Sequence, residues 1–227
     1  MTANWPAVLS PIDMTILEFL HVTLGQDDSG HDEAHAFRVL SNALVIMEKE
    51  GGDEEYVTAC CLLHDCLDSK LGLDNRKQEE RVLSLLLENG YEEEKAKRMV
   101  SSMKRMSFHL HDETDLTLED EIIRDADRLD ALGEEGVSRV LAYSQARGRM
   151  EITEEDKARL LRGEVPHGES AVAHFYEKLL ILDQHLYTKE GKRLGKEKMK
   201  VTESSLKKIL EAHGIYLSDV RSPLCPK

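Results

Sequence analysis

Apolar residues recur at intervals of three and four along most of the chain, whereas the alternation typical of a strand never exceeds four residues. The first spacing lines apolar side chains along one face of a helix. Ser10 and Pro11 mark a helix start, and glycines such as Gly51 and Gly90 mark ends. The pattern predicts helices over about 11–24, 32–50, 53–65, 76–89, 92–106, 117–132, 137–146, 154–162, 169–187 and 189–213.

These elements indicate one all-α domain, because the chain shows no linker, internal repeat or low-complexity segment. We expect residues 1–24 to form an N-terminal helix that packs on a helical bundle of residues 25–213. The last two helices of that bundle form a pair, and residues 214–227 form a tail. A homodimer through the helix pair is left open.

Composition narrows the function classes. The net charge of −14 disfavours a nucleic-acid polymer or an anionic membrane as partner, because like charges repel. No run approaches the roughly 20 apolar residues of a membrane span, and the N-terminus lacks a secretory pattern. A cytoplasmic location is therefore expected. Cys60, Cys61 and Cys66 lie in an apolar stretch and are interpreted as reduced packing residues.

The most apolar helix ends at a charged pair. Residues 57–63 include only one polar side chain, Thr58, and they are followed directly by His64 and Asp65. A carboxylate in such surroundings costs several kcal/mol unless it is paired or bound to a cation. Suitable partners lie in the segments 30–35 and 125–130, which are rich in histidine and aspartate. A buried metal site would account for all three segments.

Three aspartates border the apolar face of the predicted helix over 117–132. On a helical wheel Asp125, Asp127 and Asp130 flank the core-facing stripe, although solvated acids normally occupy the opposite face. Asp127 is interpreted as a metal ligand. For Asp125 and Asp130 two interpretations stay open: participation in the site, or a buried ion pair with an arginine such as Arg38 or Arg139.

His31 and His35 are four residues apart and therefore share a helix face. The spacing is similar to the H-E-x-x-H helix of zinc proteases, but the second position is Asp32, whose side chain is a methylene shorter than the glutamate base. A protease is therefore disfavoured. His35 lies at the buried end of an apolar helix face and is a candidate ligand, whereas the role of His31 stays open.

Taken in order, these residues resemble a known family. His35, His64-Asp65 and Asp127 follow the order found in the HD-domain superfamily of metal-dependent phosphohydrolases, and the likeness spans about residues 25–210. Within that superfamily the sequence is similar above all to a bacterial subgroup of predicted HD hydrolases. The strings that carry it are Gly30-His31-Asp32-x-x-His35-x-x-Arg38, Leu63-His64-Asp65-x-x-Asp68-x-Lys70, Asp125-Ala126-Asp127-Arg128-Leu129-Asp130 and His174-Phe175-Tyr176-Glu177.

The resemblance implies an HD-type helical bundle with one divalent metal ion at its centre, held by His35, His64, Asp65 and Asp127. Such mixed nitrogen and oxygen ligands suit Mn²⁺, Co²⁺, Ni²⁺, Fe²⁺ or Zn²⁺, and Mg²⁺ stays in the set. Members of the family cleave phosphate esters or anhydrides, and some of the nearest type are nucleotide pyrophosphohydrolases. Asp68 matches an acidic position that assists water activation.

The expected function is that of a metal-dependent phosphohydrolase acting on a small phosphorylated metabolite, above all a nucleotide. Asp68 would orient or deprotonate the attacking water, Lys70 and Arg38 would neutralise phosphate charge, and His31 would contact the substrate. Open alternatives are a solvated surface position for Lys70 and a structural ion pair for Arg38. The alternative function is a metal-containing nucleotide-binding or regulatory module with little or no turnover.

Overall fold

The computed structural model describes residues 11–24, 33–67, 74–106 and 114–216, and every regular element within them is helical. The all-α prediction is thereby confirmed. In chain order these ranges contain α1 (Pro11–Leu24), α2 (Glu33–Glu50), α3 (Glu54–Leu63), a first 3₁₀ segment (His64–Leu67), α4 (Asn75–Glu88), α5 (Glu93–Lys104), α6 (Leu118–Asp130), α7 (Gly133–Ala146), α8 (Glu154–Arg162), α9 (Ala171–Glu177), a second 3₁₀ segment (Leu179–His185) and α10 (Lys189–Ala212).

The helices divide into two compact units, residues 1–124 and 125–227. The division falls within α6, which continues through it as one helix. In the first unit α3 packs against α1, α2 and α5, and α4 packs against α5. Among the described helices, none combines the length and the apolar character that a bilayer span requires.

The last two turns of α3 are buried on nearly all sides, as the sequence predicts, whereas its first turn is exposed at Glu54 and Glu55. Its start is capped by Asp53, which accepts a hydrogen bond from the Tyr56 N–H at 3.1 Å. Every residue of 57–63 except Thr58 is buried. Cys60, Cys61 and Cys66 are buried thiols that form no disulfide, as expected of reduced packing residues.

The second unit packs α7, α9, the second 3₁₀ segment and α10 together. Its core includes five side chains with no exposed surface: Leu160, Val172, Phe175, Leu206 and Leu210. Thr188 caps α10 by accepting a hydrogen bond from the Gly191 N–H at 2.9 Å. This cap fixes the point at which the chain enters the longest described helix.

Two boundary predictions were wrong. The expected helix over 169–187 is interrupted at Lys178 (φ −133°, ψ −61°) and continues as the second 3₁₀ segment. The repeat of three residues per turn still places Leu179 and Leu182 on one buried side, so the apolar stripe is right and the helix type is not. The expected break extending to Gly136 is also shorter, because α7 begins at Gly133.

Candidate metal centre

The chain changes helix type at the pair that ends α3. His64 and Asp65 form the first turn of the first 3₁₀ segment, and they are 7% and 5% exposed. The Nε2 atom of His64 lies 3.3 Å from Oδ1 of Asp65. Neighbouring residues on a continuous α-helix point about 100° apart, so a site that uses both depends on this helix end.

His35 reaches the same point from α2. It is 2% exposed, and its Nε2 lies 3.3 Å from the His64 Nε2 and 3.4 Å from the Asp65 Oδ2. The two imidazole rings meet edge to face, with centroids 5.2 Å apart. Two ring nitrogens and a carboxylate therefore converge inside the first unit.

The backbone contact of His64 indicates which tautomer its neutral ring adopts. Its Nδ1 lies 2.8 Å from the Cys61 carbonyl oxygen, which can only accept, so Nδ1 carries the proton. In the neutral ring Nε2 then carries a lone pair, and this lone pair faces an Asp65 oxygen. Two acceptors at 3.3 Å repel each other unless a proton or a cation lies between them.

Two species could resolve this repulsion. A proton on His35 Nε2 can be shared with His64 or Asp65, which is the ordinary interpretation of a buried histidine cluster. A divalent cation instead satisfies all the converging acceptors at once. Neighbouring ligand atoms around a tetrahedral ion bound at about 2.0–2.1 Å lie about 3.3–3.4 Å apart. The observed separations of 3.3 Å and 3.4 Å fit this spacing.

Asp127, on α6, is the remaining candidate ligand that the sequence predicts. It is half-buried. The donor set of two imidazoles and carboxylates matches borderline divalent ions. The buried thiols are poorer ligands, because burial raises the pKa of Cys60 well above its usual value.

Asp125 and Asp130 have structural partners. Asp130 forms an ion pair with Arg139, so the arginine-pair interpretation is confirmed for this residue. Asp125 has no exposed surface and accepts hydrogen bonds from the Tyr187 N–H at 2.9 Å and from the Thr188 N–H and hydroxyl at 2.8 Å and 2.7 Å. Burial raises its pKa, and these hydrogen bonds oppose the rise.

The other predicted site residues are located only in part. Arg38 is half-buried on α2, three residues after His35. His31, Asp68 and Lys70 lie outside the described residues. The sequence did not reveal the Cys61 carbonyl as the partner of His64, and the only signal for it is its place one turn earlier.

Known proteins share this sequence and fold. A family model described as HD domain matches residues 33–132. The chain is 33% identical over 178 residues to the uncharacterized protein YpgQ of Bacillus subtilis, an alignment that covers 77% of this chain and 80% of that protein. The crystal structure of B. subtilis YpgQ in complex with ADP has a TM-score of 0.70 and 28% identity, with 88% of this chain and 97% of that chain covered.

A Bacillus thuringiensis protein described as an HD-superfamily hydrolase has a TM-score of 0.71 and 30% identity. The superposition covers 89% of this chain and 96% of that chain. The candidate ligands His35, His64, Asp65 and Asp127 all lie within the segment that the family model matches.

Proposed function

The chain belongs to the HD-domain superfamily, and we propose that it is a metal-dependent phosphohydrolase whose substrate is a small phosphorylated metabolite, namely a nucleotide. The reaction would be hydrolysis of a phosphoanhydride or phosphomonoester bond. We infer that His35, His64, Asp65 and Asp127 hold one divalent ion. The Bacillus thuringiensis neighbour described as an HD-superfamily hydrolase supports the reaction class.

The observation that carries the proposal is the orientation of His64. Because Nδ1 donates to the Cys61 carbonyl, the Nε2 lone pair of the neutral ring points at His35 and Asp65 in a buried site. Metal-binding histidines typically use their second nitrogen in this way, which fixes the ring and its tautomer. A bound divalent ion would supply Lewis-acid polarisation of a phosphoryl oxygen and a lowered pKa for water.

The remaining roles are assigned to residues that lie close to the proposed ligands along the sequence. Asp68 follows the His64-Asp65 pair by three residues, and we assign to it the orientation or deprotonation of the attacking water. Arg38 follows His35 by one helical turn, and Lys70 follows Asp68 by two residues. Both would neutralise charge on the substrate phosphate and the leaving group. His31 is assigned a substrate contact.

A nucleotide is the preferred substrate class. YpgQ, the relative from B. subtilis, was crystallised in complex with ADP. The chain carries a net charge of −14, so a polyanionic substrate needs local cations, which the metal ion, Arg38 and Lys70 would provide. The identity of the base and the bond that is cleaved are left to experiment.

The test is release of phosphate and of pyrophosphate from a panel of nucleoside mono-, di- and triphosphates with Mn²⁺, Co²⁺ or Mg²⁺, and with EDTA as control. Metal-dependent release is expected. Asp68→Ala should keep its metal while kcat falls on the order of 10²-fold or more, because a general base contributes about that much. Full activity in Asp68→Ala would remove its assigned role.

Absence of release from protein shown to contain its metal would contradict the hydrolase proposal. If ADP then binds with measurable affinity, the regulatory module becomes the better function. If chelation changes neither the thermal stability nor the nucleotide affinity, the histidine and aspartate cluster is a structural feature held by protons.

A further inference from the structure

The first unit contains a cavity of about 310 Å³, and none of the candidate metal ligands is among its described lining residues. It lies between the start of α3, the end of α5 and the start of α6. This volume is at the lower end of the range that small-molecule sites occupy. Its size alone does not indicate a ligand, but two of its buried polar atoms do.

The first atom belongs to Asp120, which is 4% exposed. Its Oδ2 forms a capping box at the start of α6, accepting from the Thr117 N–H at 3.0 Å and from the Thr117 hydroxyl at 3.2 Å. Its Oδ1 is buried and has no hydrogen-bond partner. An unsatisfied buried acceptor costs about 1–3 kcal/mol, and more when it is charged.

The cap itself does not require this unpaired oxygen. Helix α8 begins with the same capping box, in which Asp156 accepts from the N–H and the hydroxyl of Thr153 at 2.8 Å and 2.6 Å. Asp156 is 2% exposed, yet neither of its oxygens is buried without a partner. The capping box alone therefore does not account for the unpaired oxygen of Asp120.

The second atom is Nε of Arg105, which is also buried without a partner. The same guanidinium donates to the Thr114 carbonyl at 3.3 Å, and its Nη2 lies 3.5 Å from Oδ2 of Asp120. Two neighbouring residues of the cavity lining thus carry an unused acceptor and an unused donor. A bound hydroxyl group can donate to the first and accept from the second.

The rest of the lining favours a neutral ligand. Four hydroxyl-bearing residues face the cavity: Tyr56, Ser101, Ser102 and Thr117. The Tyr56 and Ser102 hydroxyls are joined by a hydrogen bond of 2.8 Å. Carboxylates outnumber guanidiniums in the lining, since Asp53, Asp115, Glu119 and Asp120 face only Arg98 and Arg105. This excess of negative charge disfavours phosphate groups.

We propose that this cavity binds a neutral vicinal diol through Asp120 and Arg105, either in a free sugar or in the ribose of a nucleoside without phosphate. The site is independent of the proposed phosphohydrolase reaction, because it shares no residue with the metal centre.

The experiment is calorimetric titration of the metal-loaded full chain with D-ribose, with adenosine and with 2′,3′-dideoxyadenosine. Adenosine, ribose or both should bind, and removal of the diol should weaken adenosine binding on the order of tenfold. Asp120→Asn keeps an oxygen for the cap but removes the carboxylate, and Arg105→Lys removes Nε. Both should weaken binding by a similar factor, whereas Asp156→Asn, the matched capping change in α8, should not.

Binding by ribose alone or by adenosine alone identifies the source of the diol. The proposal is overturned if neither compound binds, or if the dideoxy compound binds as tightly as adenosine. It is also overturned if binding survives in Asp120→Asn and Arg105→Lys but is lost in Asp65→Ala, because the ligand would then occupy the metal centre.

Discussion

The Nδ1–H of His64 donates to the Cys61 carbonyl, and this contact determines what the rest of the ring can do. In the neutral ring with its proton on Nδ1, Nε2 is an acceptor, and it faces His35 and Asp65 at 3.3 Å. A carbonyl on the same helical turn thus orients a ring that the fold places beside two further ligand candidates. At the scale of the residue, backbone geometry orients a cluster of acceptors of the kind that the proposed cation requires.

Asp65→Asn tests this cluster. The amide keeps the shape of the side chain but removes its charge, so we expect divalent metal affinity to fall by about a hundredfold or more and nucleotide hydrolysis to be lost. Metal content after dialysis, measured by mass spectrometry, checks the affinity. Glu54→Gln, an exposed change on α3, should retain its metal. Equal metal content in both variants would exclude Asp65 as a ligand.

Sequence reasoning reached some residues and not others, for a physical reason. His64 and Asp65 were identifiable because a local apolar run cannot bury a carboxylate without a partner. The partners of Asp125 were not identifiable, because Tyr187 and Thr188 lie 62 and 63 residues further along the chain. Contacts at such separation exist only once the chain has folded, so the role of Asp125 stayed open until then.

At the scale of the element, Gly191 lets α10 begin directly against Asp125. A Cβ at this position would lie 2.2 Å from Oδ2 of Asp125 and 2.7 Å from the Thr188 hydroxyl oxygen. Both neighbours are held by mutual hydrogen bonds and cannot move without breaking them. Position 191, in the first turn of α10, therefore has room for glycine alone.

Gly191→Ala should destabilise the protein, although the same change in an open helix stabilises by about 0.5–1 kcal/mol. We expect a loss of about 2 kcal/mol in the free energy of unfolding, because overpacking in a rigid environment costs about 1–3 kcal/mol. Urea denaturation followed by circular dichroism measures it. Ser204→Ala, at an exposed position of α10, should be neutral or stabilising. A stabilised Gly191→Ala would show that Asp125 is free to move.

Element boundaries show a second limit of sequence reasoning. The stripe of Phe175, Leu179, Leu182 and Leu186 is buried as predicted, with at most 3% exposure. Periodicities of 3.0 and 3.6 residues differ too little over one or two turns to separate a 3₁₀ segment from an α-helix. Gly136, which the sequence analysis interpreted as part of a helix break, lies inside α7. A Cβ at this position would lie 2.0 Å from the Ala131 carbonyl oxygen. Close packing rather than a helix break requires this glycine.

At the scale of the whole molecule, stability depends on groups that folding shields from water. Burial lowers the pKa of His174 to about 4, and the charge of Lys178 adds to the effect. In the unfolded chain the same group titrates near 6.5. The unfolded state therefore takes up a proton between these values and the folded state does not. The contribution of the neutral, buried His174 ring to the free energy of unfolding is fully present above pH 6.5 and is lost as the pH falls to about 4.

His174→Gln should reduce the acid sensitivity of the protein. Between pH 6.5 and pH 4 we expect the wild type to lose about 2 kcal/mol more than the variant, after allowance for partial solvent screening. The measurement is urea denaturation at a series of pH values in the presence of EDTA, so that metal release does not contribute. Parallel loss of stability in both proteins would show that His174 is protonated in the folded state.

The buried cysteines of α3 provide an intrinsic probe of motion. Cys60 and Cys61 have no exposed surface, so a disulfide reagent can reach them only when the helix that leads to His64 opens. With Cys66 replaced by alanine and Cys225 by serine, the labelling rate of the folded protein would report the frequency of these openings. If a divalent ion slows this labelling, the ion stabilises the closed helix. The concentration dependence of the slowing then measures metal affinity without any substrate or turnover.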